Sequence, residues 1–350
     1  MSTLTTHRYA LAPYTGPKSR TTCPICDKPR CFTRYLDTES GELLPDEYGR
    51  CDRETNCGYS LTPYARPASG GLSYAAAVRR NERPTARPPA NRPPAVVPRK
   101  QVLTIPADVF RASLTGYEQN SLATLLRQHF GWGIADELLT RFQVGTSAYW
   151  PGACVFWLID ERGRVRGGQV VLYDETGHTA KQQKPDGTSY RFTRWAHTAL
   201  AATHRRRGTP LPAWLSDYQQ HGQKSPCLFG LPQLTAAPAG QAVALVESAK
   251  TAILATPYFP QYVWLATGGL SYLTPARVSP LKGRRIVLFP DAGALAAWQV
   301  KATELRGLGF TVEVSDKLET LATADERAAG LDLADVLLTE WPGYPPSWDN

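Results

Sequence analysis

Several features that define common protein classes are missing from this sequence. No apolar stretch approaches the ~20 residues that a bilayer-spanning helix needs, and the first twenty residues lack the long apolar core of a secretory signal. No Gly-x4-Gly-Lys-Ser/Thr loop, which holds nucleotide phosphates in many motor proteins, occurs in the chain. We therefore expect a cytoplasmic protein without a membrane span. Because the nucleotide-binding loop of motor proteins is absent, a motor that separates nucleic-acid strands would have to be another protein.

Acidic residues are also in short supply. The 350 residues include 31 acidic and 39 basic side chains, which gives a formal net charge of +8. Such a balance favours a polyanionic partner. Nucleic acid is the first candidate, and a membrane surface or simple solubility is the alternative.

The length and the 42% hydrophobic content are sufficient for two or three domains with real cores.

The cysteines are few, odd in number and unevenly placed. Five of the seven lie in the first 64 residues, at Cys23, Cys26, Cys31, Cys51 and Cys57. An odd, clustered set argues against a secreted disulfide scaffold and favours a reducing compartment.

The spacing of these cysteines predicts a metal site. Cys23 and Cys26 form a Cys-x2-Cys turn, and Cys51 and Cys57 follow after a long gap. Two such pairs complete a tetrahedral zinc site, and the intervening strand–turn–strand pattern resembles a zinc ribbon. A segment this small has little core of its own, so structural Zn²⁺ would hold it together. The alternative is a set of reduced thiols without metal, and Cys31 is interpreted as a packed thiol.

Two arginines lie close to the third cysteine of this set. Arg50 and Arg53 flank Cys51 and are candidates for contact with nucleic acid. A solvated basic face is an equally good interpretation.

The chain divides into four segments by composition and pattern. We predict a zinc-ribbon domain over 1–64, a Pro/Arg-rich linker over 65–100, an α+β module over 101–239 and an α/β domain over 240–350. The Pro- and Arg-dense part of the linker has few large apolar residues, which favours an extended, disordered chain. The third segment has helical spacing followed by two β-rich runs around a turn, which is typical of a hairpin.

The last segment alternates strand and helix patterns for about a hundred residues, which predicts a parallel sheet with crossover helices. Glu247 and Asp291 each follow an apolar run in this segment. Because open α/β sheets bind ligands at the carboxyl ends of their strands, we expect both carboxylates at one edge. Together they are candidates for holding a divalent cation such as Mg²⁺ or Mn²⁺.

Each of these residues has a plainer interpretation. Asp291 alone would more often be the N-cap of the following helix. Lys250 lies one helical turn after Glu247 and is a candidate for contact with a phosphate, and a helix-surface lysine is the alternative. Trp195, in a basic and aromatic stretch, is either a stacking platform for single-stranded bases or a core residue.

The carboxylate pair resembles the Toprim fold of primases and topoisomerases. That fold carries a Glu after its first strand and Asp-x-Asp after its third, whereas this chain has Asp291-Ala292-Gly293 and lacks the second aspartate. Asp332 and Asp335 resemble the acidic stretch that often closes such domains, and the resemblance implies that they help to hold magnesium. The fold class expected is therefore multi-domain α/β: zinc ribbon, α+β middle module and Toprim-like domain with a parallel sheet.

The order of the segments resembles a bacterial or phage DNA primase. The segments around Cys23–Cys57 and Glu247–Asp291 are also similar to Toprim-related proteins of Bacteroidetes mobile elements. The primase resemblance implies that the middle module and the last domain form an RNA-polymerising core, with a basic surface for the template. The residues that match such a surface in character are Lys181, Lys184, Arg191, Arg194 and residues 205–207.

The resemblance implies Mg²⁺-dependent synthesis of short primers on single-stranded DNA from nucleoside triphosphates, during replication of a chromosome, plasmid or phage. A separate helicase is an expected partner. In this interpretation Glu247, Asp291 and Lys250 are the catalytic candidates. Two alternatives stay open: a non-catalytic DNA-binding accessory protein, favoured by the missing aspartate, and a Toprim-type nuclease with the same metal site.

Overall fold

A computed structural model describes residues 8–16, 19–53, 57, 59–65, 72–81, 102–183, 187, 189–339 and 344. The chain forms two compact units, Met1–Arg99 and Lys100–Asn350. Most of the predicted Pro/Arg-rich linker, residues 66–71 and 82–100, lies outside the described residues. Within that segment the structure places one helix, whose alanine-rich sequence YAAAVRRN is composed largely of good helix formers.

The first unit is a small antiparallel sheet followed by that helix. Its elements are β1 (Tyr9–Leu11), β2 (Phe32–Asp37), β3 (Gly49–Cys51), β4 (Ser60–Leu61) and α1 (Tyr74–Asn81). The strands are paired in chain order, β1-β2-β3-β4. The predicted strand–turn–strand is present after Cys31, because the chain returns through the Gly41 turn to a bridge between Leu36 of β2 and Leu43, and β2 also pairs with β3.

Two small clusters, rather than one large core, hold this unit together. The first contains three cysteines and Phe32, whose ring stacks on Tyr59 with centroids 5.9 Å apart. Gly49 faces that ring, because a Cβ at this position would lie 2.3 Å from Phe32 Cζ. The second cluster is built from Tyr9, Leu44 and Ala75. Such limited apolar burial is typical of domains that depend on a metal for stability.

The second unit contains ten strands and twelve α-helices among its described residues. Its strands are β5 (Gly145–Ser147), β6 (Ala153–Ile159), β7 (Val165–Val171), β8 (Lys181–Gln183), β9 (Ser189–Arg191), β10 (Thr193–Trp195), β11 (Ala242–Val246), β12 (Tyr262–Ala266), β13 (Arg285–Leu288) and β14 (Thr311–Val314). Its helices are α2 (Ala107–Ser113), α3 (Ser121–Phe130), α4 (Trp132–Arg141), α5 (Ala196–Arg206), α6 (Ala213–His221), α7 (Gln233–Ala236), α8 (Ala249–Tyr258), α9 (Pro275–Val278), α10 (Leu295–Gly307), α11 (Lys317–Leu321), α12 (Ala324–Ala329) and α13 (Leu333–Thr339). In the described part of the chain, every helix is too short or too polar to cross a membrane.

The middle sheet is antiparallel, in the order β10-β7-β6-β5. The predicted hairpin is confirmed as β6 and β7, which pair from Cys154↔Val171 to Ile159↔Val165. Asp160 organises the turn between them by accepting hydrogen bonds from the Arg162 and Arg164 backbone N–H groups. All seven residues of β6 are buried, as its continuous apolar run predicts.

The last sheet is entirely parallel, in the order β12-β11-β13-β14. This confirms the parallel sheet that the alternating strand and helix patterns predict. β11 and β13 are direct neighbours, with Leu245 opposite Leu288. Residues that follow these two strands consequently emerge at the same edge of the sheet.

Two hydrophobic clusters fill the second unit, and the larger one joins the middle sheet to the parallel sheet. The larger cluster includes Leu126 of α3, Phe156 of β6 and Leu245 of β11, together with the fully buried Trp298 of α10. The predicted segments 101–239 and 240–350 therefore pack as one body, and the middle sheet is held rigidly beside the edge of the parallel sheet.

Candidate metal sites and basic surface

The four cysteines expected to bind zinc lie together in the first unit. The sulfur atoms of Cys23, Cys26, Cys51 and Cys57 are all within 4.8 Å of one another, and the Cys23 and Cys57 Sγ atoms are 3.7 Å apart. Cys31 Sγ contacts Cys51 Sγ at 3.8 Å and donates to the Lys28 carbonyl oxygen at 3.1 Å, so it has a structural partner of its own. Four converging thiols at this spacing fit tetrahedral zinc.

The thiols differ in acidity. The Lys28 backbone N–H lowers the pKa of Cys26 to about 6, with further help from neighbouring thiols and Arg53. Burial raises the pKa of Cys51 and of Cys57. Zinc binds thiolates and releases their protons, and the lowered pKa of Cys26 favours its thiolate form.

The two arginines beside this site have different surroundings. Arg50 is exposed on β3, whereas Arg53 is half-buried and its guanidinium lowers the pKa of Cys26. Part of the role of Arg53 is thus electrostatic support of the cysteine site. Contact of either residue with nucleic acid stays a prediction.

Glu247 and Asp291 come to the same edge of the parallel sheet. Glu247 follows β11 directly, and Asp291 follows the neighbouring β13 after two residues. Both are half-buried. No hydrogen bond or ion pair within 4 Å reaches either carboxylate from the residues that the structure describes. Half-buried carboxylates without partners are unusual, because the charged form loses water and gains nothing in return.

The pKa values of the Glu247 and Asp291 carboxyl groups reflect this lack of hydrogen-bond partners. Burial raises the pKa of Asp291 well above its usual range, and the nearby Glu247, Asp332 and Asp335 carboxylates raise it further, opposed by Lys250. Burial and the Asp332 carboxylate likewise raise the pKa of Glu247. A divalent cation would relieve this repulsion, and Mg²⁺ or Mn²⁺ at this pair stays a prediction.

Asp332 and Asp335 are near this edge, and their oxygen atoms are engaged. Each carboxylate accepts the backbone N–H of the other, at 2.8 Å from Asp335 N and 3.1 Å from Asp332 N. Asp332 also accepts the Thr251 hydroxyl at 3.0 Å. In the described residues the four cysteines form a close group of metal-type ligands, and these carboxylates do not. Water or phosphate oxygens would have to complete a cation site at Glu247 and Asp291.

Lys250 is buried, unlike a lysine on a helix surface. It is only 4% exposed, and its Nζ donates to the Gly177 carbonyl oxygen at 3.0 Å. The same nitrogen lies 3.5 Å from Asp335 Oδ1. The ammonium is therefore directed into the protein.

Gly293 occupies the position at which the primase resemblance expects a second aspartate. Its φ of +82° is a left-handed conformation that favours glycine, and a Cβ would lie 2.8 Å from the Arg327 carbonyl oxygen. Its N–H donates to Glu319 Oε2 at 2.7 Å. A side chain at this position would force the Arg327 backbone to shift, so glycine suits this loop better than the aspartate that the resemblance expects.

A cavity of about 240 Å³ opens beside Glu247, between the middle sheet and the edge of the parallel sheet. Nine of its lining side chains are polar, and the rest of its wall is apolar or aromatic. The polar side chains are Gln169, Tyr173, Thr179, Arg191, Thr193, Ser225, Glu247, Ser248 and Thr267, and Trp195 is among the aromatic ones. Two residues predicted to contact nucleic acid, Arg191 and Trp195, are thus placed at the carboxylate edge.

Arg194 lies in different surroundings, because successive side chains of a strand alternate between faces. Its guanidinium carbon is 5.1 Å from the centre of the Tyr149 ring, and that of Arg206 is 4.6 Å from the same ring. Tyr149 packs edge-on against Trp150, which contacts Phe192. Sequence reasoning missed the two aromatic residues, although the adjacent Tyr-Trp pair was a visible signal.

These side chains form an aromatic–arginine surface, defined here as Tyr149, Trp150, Tyr190, Phe192, Arg194 and Arg206, in which Arg206 is exposed and the other five are half-buried. Lys181 is exposed on β8, paired opposite Arg191 in β9. Residues 205–207 are exposed at the end of α5. The predicted contact residue Lys184 lies outside the described residues.

Residues 176–216 contain seven lysines and arginines and one acidic residue, so this region supplies most of the net positive charge.

The raised pKa of Asp291 leads to a prediction about stability. In the folded protein its carboxyl group holds a proton more tightly than in the unfolded chain. Its stabilising contribution is therefore present at low pH and is lost as pH rises through the raised pKa. At neutral pH, Asp291→Asn should raise the melting temperature of the metal-free protein, by about 2–4 °C for each kcal/mol of repulsion removed. Calorimetry from pH 4 to 8 would test this, and a variant that melts lower at every pH would contradict it.

Two family models match the chain. One, described as a putative zinc β-ribbon finger, matches residues 7–69, which agrees with the four-cysteine geometry. The other, a domain of unknown function (DUF6371), matches residues 120–292. No curated protein matches the chain. The zinc-ribbon prediction is confirmed by the first match, and its four cysteines support structural Zn²⁺.

Among solved structures, the chain is similar to primase catalytic cores. A DnaG catalytic core is 16% identical, with a TM-score of 0.38 and coverage of 67% of this chain and 81% of that one. The E. coli primase catalytic core is 16% identical, with a TM-score of 0.39 and coverage of 66% and 81%. A DnaG primase catalytic domain bound to single-stranded DNA is 14% identical, with a TM-score of 0.37 and coverage of 67% and 82%. Values this low do not establish a shared activity.

Proposed function

We propose that this protein is a primase-like nucleotidyltransferase that makes short primers on single-stranded DNA in an Mg²⁺-dependent reaction. The observation that carries the proposal is the pair of half-buried carboxylates, Glu247 and Asp291, which follow neighbouring parallel strands and receive no hydrogen bond from the residues that the structure describes. Buried charge of this kind is retained where a cation and its ligands bind. The site is Toprim-like in the position of its two acids.

The chain's own residues suit a nucleoside triphosphate. Glu247 and Asp291 would hold Mg²⁺, which neutralises triphosphate charge and activates the primer hydroxyl when bound. Trp195, in the wall of the cavity beside Glu247, offers a stacking face for a base. The exposed Arg191, also in the wall, is positioned to contact a phosphate.

The template strand requires a different kind of surface. Single-stranded DNA binds where aromatic side chains stack on bases and cations follow the backbone. The aromatic–arginine surface has both, and the zinc ribbon with exposed Arg50 offers a second contact in the other unit. Strand separation would come from a separate helicase, and replication of a chromosome, plasmid or mobile element is the setting we propose.

A direct assay tests the activity. The purified protein is incubated with single-stranded DNA, labelled nucleoside triphosphates and Mg²⁺ or Mn²⁺. Short labelled primers that depend on both DNA and cation are the expected product. DNA binding without product would overturn the proposal in favour of an accessory protein, and cleaved DNA would overturn it in favour of a nuclease.

A non-catalytic, DNA-binding accessory protein is the second candidate. Two observations favour it: glycine suits position 293 better than a second aspartate, and the buried Lys250 already neutralises part of the acidic cluster. In this case the carboxylate edge would have lost catalysis while the DNA-binding surfaces remained. The primer assay separates the two candidates.

The double substitution of Arg194 and Arg206 by alanine should weaken binding of single-stranded DNA by about tenfold, because each phosphate contact is electrostatic and stacking adds ~1–3 kcal/mol per base. The slope of log affinity against log salt should fall by about 0.7 for each phosphate that the variant no longer neutralises. Fluorescence anisotropy with a labelled oligonucleotide measures both the affinity and this slope.

Arg285→Ala is the matched control for this pair. Arg285 is an exposed arginine that pairs with Glu313 at 2.9 Å on the parallel sheet, so the variant loses positive charge outside the aromatic–arginine surface. It should bind DNA almost as well as the unchanged protein. Equal losses in both variants would show that only net charge matters.

A further inference from the structure

We infer that Lys250 is a built-in counter-ion whose ammonium group takes the place of a second divalent cation, so that the carboxylate edge binds one divalent ion. This inference rests on the proposed role of Glu247 and Asp291 as cation ligands. It assigns Lys250 a positioning and neutralising role in place of the direct phosphate contact that its sequence position suggests.

The first support is the location of the ammonium group. Lys250 is the second residue of α8 and lies three positions after Glu247, the residue that follows β11. It is 4% exposed and donates to the Gly177 carbonyl oxygen at 3.0 Å. A buried charge is costly unless it is paired and hydrogen-bonded, so the ammonium must be compensated by the acids around it. A phosphate group in solvent cannot reach a group held in this way.

The second support is the division of the four acids into two pairs. Asp335 lies 3.5 Å from Lys250 Nζ and exchanges hydrogen bonds with Asp332. Asp332 is further held by the Thr251 hydroxyl at 3.0 Å. Glu247 and Asp291 have no such bonds from the described residues. Asp335 is therefore compensated by Lys250 and by His178, whose Nε2 lies 3.4 Å from the same oxygen. Asp332 is compensated by its hydrogen bonds, whereas Glu247 and Asp291 are open to a cation.

The third support is the loop after Asp291. A second ion would need further carboxylate oxygens, and the loop does not provide them, because Gly293 has no side chain and a Cβ there would meet the Arg327 carbonyl oxygen at 2.8 Å. Mg²⁺ is commonly held by one or two carboxylates together with water and phosphate oxygens. Two open carboxylates thus match the requirement of a single ion.

The decisive experiment counts bound Mn²⁺ on the full-length, zinc-loaded protein by electron paramagnetic resonance or calorimetry. One Mn²⁺ that disappears in Asp291→Asn is the expected result. Two Mn²⁺ ions that both depend on Asp291 would overturn the inference, as would one Mn²⁺ that persists in Asp291→Asn. Because the count needs no DNA or nucleotide, it is independent of whether primers are made.

Three further variants test whether the charge of Lys250 limits the number of bound Mn²⁺ ions. Lys250→Met removes the charge at similar size and should allow a second Mn²⁺ to bind beside Asp335, whereas Lys250→Arg should keep the count at one. A folded Lys250→Met protein that still binds one ion would overturn the inference. If Lys250→Met fails to fold, Asp335→Asn decides: the inference expects it to keep the single ion, and loss of the ion would make Asp335 a ligand and overturn the inference.

The outcomes also separate this inference from the proposed function. Primers made by a protein that binds two ions would sustain the function and reject the role of Lys250. One bound ion without primers would sustain the role of Lys250 and reject the function.

Discussion

Glu247→Gln is expected to abolish primer synthesis while leaving the fold and DNA binding intact. The amide has nearly the shape of the carboxylate but carries no charge, so it is a poor ligand for a divalent cation. Metal ions contribute several kcal/mol to such reactions, and each ~1.4 kcal/mol is a factor of ten in rate. We therefore expect primer yield to fall by about a thousandfold or more.

The variant should also be slightly more stable than the unchanged protein without metal, because the Glu247 side chain is buried beside Asp332 and its pKa is raised. Loss of activity accompanied by an unchanged or raised melting temperature would thus identify a chemical rather than a structural defect. Glu313→Gln is the matched control, since Glu313 is exposed on β14 and pairs with Arg285. Equal primer yields from Glu247→Gln and the unchanged protein would reject the proposed site.

The second large effect is expected at the zinc ribbon. Cys51→Ser should reduce bound zinc from about one ion per chain to almost none and unfold the first unit, because structural zinc supplies about 10–16 kcal/mol of apparent binding free energy at neutral pH. Cys51 is nearly fully buried among the other thiols. Metal analysis gives the zinc content, and limited proteolysis would show rapid cleavage of the first unit with the second unit protected.

Cys31→Ser is the control for this experiment. Cys31 belongs to the same cluster, but its Sγ donates to the Lys28 carbonyl oxygen and lies outside the four-thiol group. A serine hydroxyl can make the same hydrogen bond, so the variant should retain zinc. If Cys31→Ser lost zinc and Cys51→Ser retained it, Cys31 rather than Cys51 would be the zinc ligand. A folded, zinc-free unchanged protein would refute the site altogether.

Sequence patterns were informative where local spacing alone decides structure. The Cys-x2-Cys turn predicted thiols that the structure brings within 4.8 Å of their distant partners. Apolar runs followed by helical patterns predicted the parallel sheet, and Glu247 and Asp291 lie at the ends of adjacent strands as expected. In both cases the periodicity of the backbone restricts where a side chain can go.

Sequence patterns were not informative where the position of a side chain depends on a distant segment. Lys250 is directed inward because Gly177, 73 residues earlier, presents a carbonyl oxygen to it. Asp332 is held by Thr251, 81 residues away. Arg191 and Arg194, grouped as one basic surface by composition, occupy the cavity wall and the aromatic–arginine surface respectively.

By itself, the sequence determined the zinc-ligand set, the strand–helix order and the two acids at the strand ends, because these follow from short-range spacing and hydrophobic periodicity. Only the tertiary structure decided which carboxylates remain open. Asp335 and Asp332 are satisfied by Lys250, His178, Thr251 and each other, whereas no described residue donates a hydrogen bond to the Glu247 or Asp291 carboxylate. The physical reason is that burial and long-range contacts set the energy of a charge, and neither is encoded in local spacing.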